Sequence, residues 1–367
     1  MGDGTKESPY TREDLETAIK EHGGTANGLD LSKKVFEVGI DLSGKYDEEG
    51  INLSGANLFE AVLKGAVFDK CHLEGVRLIG ANLEGAWLEE AHLEGSNLSG
   101  AHMGNTHFVS AHLEKSTLNG AHFEGAEFFN AHLEEADLIN TFLDKTRLSG
   151  AHLQSVKMLG AKFTANTKMN SIDWGDYILG EEKEGEKEGK IHSLKWAEDI
   201  YRELKVWYTN AGYHDTAAKF YYREKEARRK SIQNIMHMLL KQRERRKLLK
   251  LLRRQEGGWT LLWLWIYRLL CGYAEKTLRI IGWAAFVIFG SALIYFLIGS
   301  TREWGAFWSS LYFSAVSFTA LGYGSWINEI WIDISNDWIR EIGAAESFAG
   351  VFLMALFLIT FVRKMTR

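Results

Sequence analysis

Proline is nearly missing from this chain of 367 residues, occurring once, at Pro9. Despite 36 glycines, a collagen-like or proline-rich architecture is therefore excluded. Cysteine is almost as scarce. Cys71 and Cys271 lie far apart in segments of different character, so neither a disulfide framework nor a cysteine zinc site follows, and a reducing compartment fits. The N-terminal stretch lacks an apolar run, so no secretory signal is expected. No nucleophile stands with an oriented base, so the expectation is a protein without a catalytic site or cofactor, not an enzyme. The net charge of −5 conceals an asymmetry: residues 1–190 carry 18 basic and 33 acidic side chains, residues 191–367 carry 25 and 15. The acidic half makes a poor nucleic-acid binder. The 13 tryptophans, gathered late, point to a membrane interface.

What is abundant is a period of five. From Leu53 to Phe163, 23 consecutive fifth positions are Leu, Phe or Met. Two residues before each stands a small side chain, such as Ala56, Ala61, Cys71 or Val76, and two residues after it Gly is frequent. Neither a helix at 3.6 nor a strand at 2 has this period. A chain that turns a corner every five residues does. Ile40-Asp41-Leu42 is one residue out of frame, and the frame slips again near Met169 and Trp174. Residues 10–22 read as a short helix that caps the first coil.

Ala56-Asn57-Leu58, Ala81-Asn82-Leu83 and Ala136-Asp137-Leu138 resemble the pentapeptide-repeat proteins, with their A-(D/N)-L-x-x pattern. The resemblance covers residues 40–175 and implies a right-handed quadrilateral β-helix with four repeats per coil. Residues 20 apart then stack. His72, His92, His112, His132 and His152 form one column, beside Glu74, Glu94, Glu114 and Glu134, with Gln154 completing it. Two readings stand: a proton- or metal-sensing ladder, or a structural stack of rings in place of Asn and Asp.

Residues 181–190 are charged and glycine-broken, which reads as a solvated linker. A helix begins at Ser193 and ends at Asn210-Ala211-Gly212, and a second starts near Asp215 and runs to about Arg254. The pair looks like a tetratricopeptide-type hairpin, read as a spacer or collar. Thirteen basic residues between Arg223 and Arg254 precede the tryptophan-rich stretch Trp259–Tyr273, an interfacial amphipathic profile. Anionic lipid is favoured over nucleic acid as the partner of the basic connector.

Leu278–Ile298 and Ile342–Val362 are apolar enough to span a bilayer, with basic residues at their outer ends and an acidic loop between, so both termini are expected to be cytoplasmic. Between them Trp304–Phe318 reads as a re-entrant helix, followed by Thr319, Ala320, Leu321, Gly322, Tyr323 and Gly324. Span, aromatic helix, Gly-Tyr-Gly and span resemble the two-transmembrane potassium-channel pore module. Four filter loops lining a K⁺ path through backbone carbonyls are the standard illustration of that module. The resemblance implies a homotetramer and K⁺ at the filter carbonyls of Thr319–Gly324. Ala320 replaces the family's innermost filter Thr, and Ser325 its usual Asp, which leaves strict K⁺ selectivity open. Glu329, Asp333, Asp337 and Glu341 form an acidic vestibule or a merely solvated loop. Gly350 is a hinge or a packing position, and Phe357 and Phe361 are a gate or simply core.

The expected architecture is thus mixed: a cap segment at 1–39, a pentapeptide-repeat β-helix at 40–175, a charged linker at 176–190, a helical hairpin and basic connector at 191–256, an interfacial helix at 257–275 and a two-span pore domain at 276–367. The expected function is a bacterial-type inner-membrane cation channel with a cytoplasmic repeat domain of regulatory or assembly role. Its rivals are a non-selective monovalent cation channel, a membrane-tethered scaffold with a non-conducting pore module, and a DNA-mimic repeat protein.

Overall fold

A computed structural model describes residues 2–44, 50–241, 258–273, 276–298, 304–319 and 337–365. The chain divides into two compact units, Met1–Ile235 and Met236–Arg367.

In the first unit each five-residue repeat makes one side of a coil and one corner. Leu58 accepts a hydrogen bond from the Ala61 N–H three residues on, and Glu60, the second corner residue, has φ +53°. A positive φ at that position is the signature of a type II turn, which is why Gly or Asn recurs there. The sides pair by single parallel bridges, His72 with His92, Arg77 with Asn97, Asn82 with His102 and Trp87 with His107. Four sides close one coil of 20 residues. Among the described residues no multi-residue strand forms, although a β-helix was expected: the corner consumes two of five residues and leaves each side too short for a ladder. The large and small positions both point inward, Leu113 and Ala111 being fully buried, and Phe108 stacks on Phe128 at 4.6 Å.

The coil begins earlier than the sequence pattern indicates. Asp30 bridges Asn57, Val35 bridges Val62, and Leu31, Phe36 and Leu42 are buried in the common core. Residues 30–39 therefore belong to the repeats rather than to a cap segment. Facing residues are 26 apart at Asp41–Val67 but 20 apart at Asn52–His72. Six extra residues are absorbed there, and this surplus breaks the visible frame; residues 45–49 lie outside the described set. Helix α1 (Arg12–Glu21) lies on the first coil. Its Thr11–Asp14 capping box is complete, Leu15 is fully buried, and Arg12 donates to the Asp41 and Ser43 carbonyls.

At the other end the frame slip is one residue, Arg147 facing Lys168 and His152 facing Asp173. The segment read as a solvated linker is instead helix α2 (Gly180–Glu188), with Gly180, Glu181, Glu182 and Gly185 buried. Its glycines are points of close approach: a Cβ on Gly185 would lie 2.6 Å from the Leu194 side chain, and one on Gly180 2.8 Å from the Ser155 carbonyl oxygen. Helices α3 (Ile191–Asn210) and α4 (His214–Lys241) complete the layer. Trp174 donates through Nε1 to the Tyr208 hydroxyl at 2.9 Å, Tyr208 donates to the Met169 carbonyl at 2.9 Å, and Phe220 packs edge-on to Trp174. The hairpin read as a spacer or collar is a lid on the last coil, sharing its core. Residues 242–257, including the basic run from Arg243 to Arg254, lie outside the described set.

The second unit contains α5 (Gly258–Cys271), α6 (Thr277–Ile298), α7 (Trp304–Phe318) and α8 (Asp337–Met365). Two stretches are long and apolar enough to cross a membrane: Thr277–Leu297, of mean hydropathy 2.2, and Glu341–Val362, of mean hydropathy 2.1. Ile280, Phe318 and Leu353 form the small core where α6, the end of α7 and α8 meet.

Candidate functional sites

The histidine column forms as one continuous stack. Ring centroids are 5.1 Å apart between His72 and His92, 5.0 Å between His92 and His112, 4.7 Å between His112 and His132 and 4.6 Å between His132 and His152, with interplanar angles of 10° or less. Asn and Asp at the equivalent position bind the backbone N–H two residues on, as Asn82 does with Glu84. Histidine binds that residue's carboxylate instead. Nδ1 of His72, His92, His112 and His132 lies 2.8, 3.2, 3.1 and 3.4 Å from Glu74, Glu94, Glu114 and Glu134. The last step differs from the sequence reading: His152 meets Asp173 at 3.3 Å, and Gln154 donates to that same carboxylate. Burial works to raise the Glu74 pKa, but hydrogen bonds from Ser54 and His72 outweigh it and hold the carboxyl below its usual range. Inward-turned Oε2 atoms of Glu94, Glu114 and Glu134 are buried without a hydrogen-bond partner.

Stacking recurs on other sides of the coil. His102, His122 and Phe142 stack, with the Lys162 ammonium 4.4 Å from the Phe142 centroid, and Trp87 stacks on His107 at 4.2 Å. The signal was present as the same 20-residue spacing.

In the second unit a buried polar cluster joins three helices. Glu346 of α8 accepts from the Tyr295 hydroxyl of α6 at 2.8 Å and from the Ser314 hydroxyl of α7. Ser314 also reaches the Ile288 carbonyl at 2.7 Å, and Ser347 donates to the Ser317 carbonyl at 2.7 Å. Glu346 was not singled out from the sequence; its signal was a carboxylate inside an apolar span. Gly350 sits against the C-terminal end of α7, where a Cβ would overlap the Phe318 carbonyl. This close approach is what the packing reading expects. Phe357 and Phe361 share a face and stack at 5.8 Å, Phe357 against the small core and Phe361 partly exposed. Thr319 turns its hydroxyl back to the Ala315 and Val316 carbonyls, both at 3.0 Å. Ala320, Leu321, Gly322, Tyr323 and Gly324 lie outside the described residues, as do Glu329, Asp333 and the Asp337 side chain.

The family model of pentapeptide repeats matches in eight copies between residues 49 and 165, so this segment is a pentapeptide-repeat domain. Among solved structures, the chain is similar to HetL, a pentapeptide repeat protein involved in heterocyst differentiation regulation in Nostoc sp. strain PCC 7120. The identity is 18%, the match covers 46% of this chain and 94% of that one, and the TM-score is 0.30. QnrB1, a plasmid-mediated fluoroquinolone resistance protein, matches at 20% identity over 41% of this chain and 77% of its own, with a TM-score of 0.25. A pentapeptide repeat protein of the Arabidopsis thaliana thylakoid lumen matches at 27% identity over 27% of this chain and 74% of its own, with a TM-score of 0.17. No match was found among curated proteins.

Proposed function

We propose that the chain is one subunit of a homotetrameric cation channel conducting K⁺ through the filter segment Thr319–Gly324, with a right-handed β-helical repeat domain on the cytoplasmic side. The observation that carries this reading is α7. Its 15 residues reach roughly 22 Å at 1.5 Å per residue, short of the ~30 Å hydrocarbon core. It packs against both apolar helices, delivers Thr319 at its end and runs into Gly-Tyr-Gly. That supports a reading as a re-entrant helix aimed at a filter. The outward faces of the two long helices support a membrane setting: Leu278, Phe286 and Phe348 are 80%, 68% and 77% exposed, as suits lipid or neighbouring subunits.

In this reading the inner (plasma) membrane holds the channel with both termini in the cytoplasm, and anionic lipid meets the basic connector. The repeat domain serves regulation or assembly, without a catalytic role and without nucleic acid as partner. Purified protein in liposomes should carry a cation current whose reversal potential follows K⁺. A reversal potential following Cl⁻ defeats the proposal, and absence of current favours a tethered scaffold with a non-conducting module. Ala320→Thr restores a hydroxyl ring and should raise the K⁺ over Na⁺ permeability ratio at least several-fold; an unchanged ratio assigns selectivity to the carbonyls alone. Mass measurement in detergent should give four chains.

A further inference from the structure

We propose that the histidine column binds one divalent transition cation at its C-terminal half, with His132 as the shared ligand. Two donor sets meet there. Ligand atoms of His112, Glu114 and His132 lie within 4.8 Å of one another, and so do those of His132, Glu134 and His152. Because His132 belongs to both, one ion occupies one set at a time. This site stands on the repeat unit alone and does not depend on the pore reading.

Four observations converge on a cation. Each of the three rings is about two-thirds shielded, with side-chain exposure of 35%, 33% and 34%, so it is held in place yet reachable from solvent. The nitrogens facing the carboxylates are Nδ1, so an ion lying between rings and carboxylates meets Nδ1 lone pairs once the neutral rings carry their proton on Nε2. Glu114 and Glu134 each keep Oε2 buried with no hydrogen-bond donor, so the carboxylate charge is under-compensated, and a cation bound through the Oε1 that faces Nδ1 offsets it. Finally, the donors are imidazole and carboxylate without thiolate or carbonyl clusters. That chemistry selects Zn²⁺, Ni²⁺ or Cu²⁺ over Ca²⁺ and Mg²⁺, which take mainly oxygen ligands.

Metal–nitrogen bonds of about 2.0–2.1 Å hold two ligand nitrogens no more than roughly 4.2 Å apart, and the ligand atoms of each set lie within 4.8 Å of one another, with ring planes at 1° and 4°. Binding through two rings therefore needs at most a small tilt of a ring out of the stack. The ladder is then a metal-responsive element of the coil rather than a fixed ornament, and its Nδ1–carboxylate bonds are the contacts exchanged for the ion.

The test uses the full chain in detergent, stripped with EDTA and titrated with Zn²⁺, with Ca²⁺ as control. Asn occupies the equivalent repeat position at Asn57, Asn82 and Asn97, each bridged within the coil, so His132→Asn is compatible with the fold, and circular dichroism checks that it folds. Elemental analysis after dialysis should show one Zn²⁺ fewer per chain in His132→Asn than in the parent, with His72→Asn unchanged. Zn²⁺ should raise the unfolding temperature of the parent but not of His132→Asn, and Ca²⁺ should raise neither. Equal Zn²⁺ content in parent and folded His132→Asn overturns the site. So does loss of an equal amount in His72→Asn, or stabilisation by Ca²⁺ to the same degree. Should His132→Asn misfold, Glu114→Gln with Glu134→Gln replaces it, and unchanged Zn²⁺ content there is equally fatal.

Discussion

Glu181 is almost wholly inside the lid of the repeat domain, and its two oxygens meet different fates. Oε1 accepts from the Met158 and Leu159 N–H groups at 2.6 and 2.8 Å, and Oε2 is buried without a partner. Burial outweighs those bonds and pushes the carboxyl above its ordinary value of 4.5. Between that value and the raised one, the folded chain holds a proton the unfolded chain has lost. Stability therefore falls as pH rises through this window and stays lowered above it. Glu181→Gln keeps the accepting oxygen and removes the buried charge. Denaturant titrations at pH 5 and pH 8 should show it at least as stable as the parent at pH 8, with a smaller difference between the two conditions. Glu181→Ala strands two buried N–H groups and should cost roughly 1–3 kcal/mol for each. Tyr208 makes a parallel case. Its hydroxyl accepts from Trp174 and donates to Met169, so Tyr208→Phe leaves a buried indole N–H unpaired and should lower stability by about 1–3 kcal/mol in the same assay.

At the scale of elements, the interactions that matter are close approaches licensed by small residues and closed by polar groups. Helix α8 reaches the end of α7 at Gly350, and Glu346, one turn earlier, binds α7 and α6 through Ser314 and Tyr295. Gly350→Ala forces the helices apart and should destabilise the second unit by about 1–3 kcal/mol, the usual range for overpacking. Thermal unfolding in detergent measures it. A hinge glycine would behave otherwise, since Ala would leave the packing intact and alter only opening. The same logic holds for α2, where Gly185 admits Leu194 and a charged, glycine-interrupted segment becomes an ordered lid. Lys230 supports that lid by pairing with Glu182, which also accepts the Tyr201 hydroxyl at 2.5 Å.

For the whole molecule the decisive fact is that the coil and its helical lid share one core, from Leu15 to Ala227. A fragment ending at residue 180 would expose Trp174, Met169 and Leu179, all buried in the intact unit. Residues 1–235 should therefore be soluble and unfold cooperatively, and residues 1–180 should aggregate or melt at distinctly lower temperature. Circular dichroism melting curves of both fragments check this. Equal melting temperatures would show that the repeats need no lid.

The sequence by itself determined the repeat. A five-residue period from Leu53 to Phe163 dictates corner turns and an alternation of large and small inward side chains, and the 20-residue spacing of histidines dictates their column, because these are consequences of local geometry repeated. It also determined two apolar stretches long enough to cross a membrane, because length and hydropathy are properties of the chain alone. Tertiary structure decided what depends on partners distant in sequence. Residues 30–42 join the coil although their frame is broken, because register is set by the neighbouring coil rather than by spacing. The charged segment after Gly180 folds because Glu181 finds two backbone donors 22 and 23 residues upstream. Asp173 replaces Gln154 beside His152 because one extra residue shifts the last coil. Glu346 became legible only when two other helices supplied its donors: burial of a polar group is decided by what closes over it, and no local pattern records that.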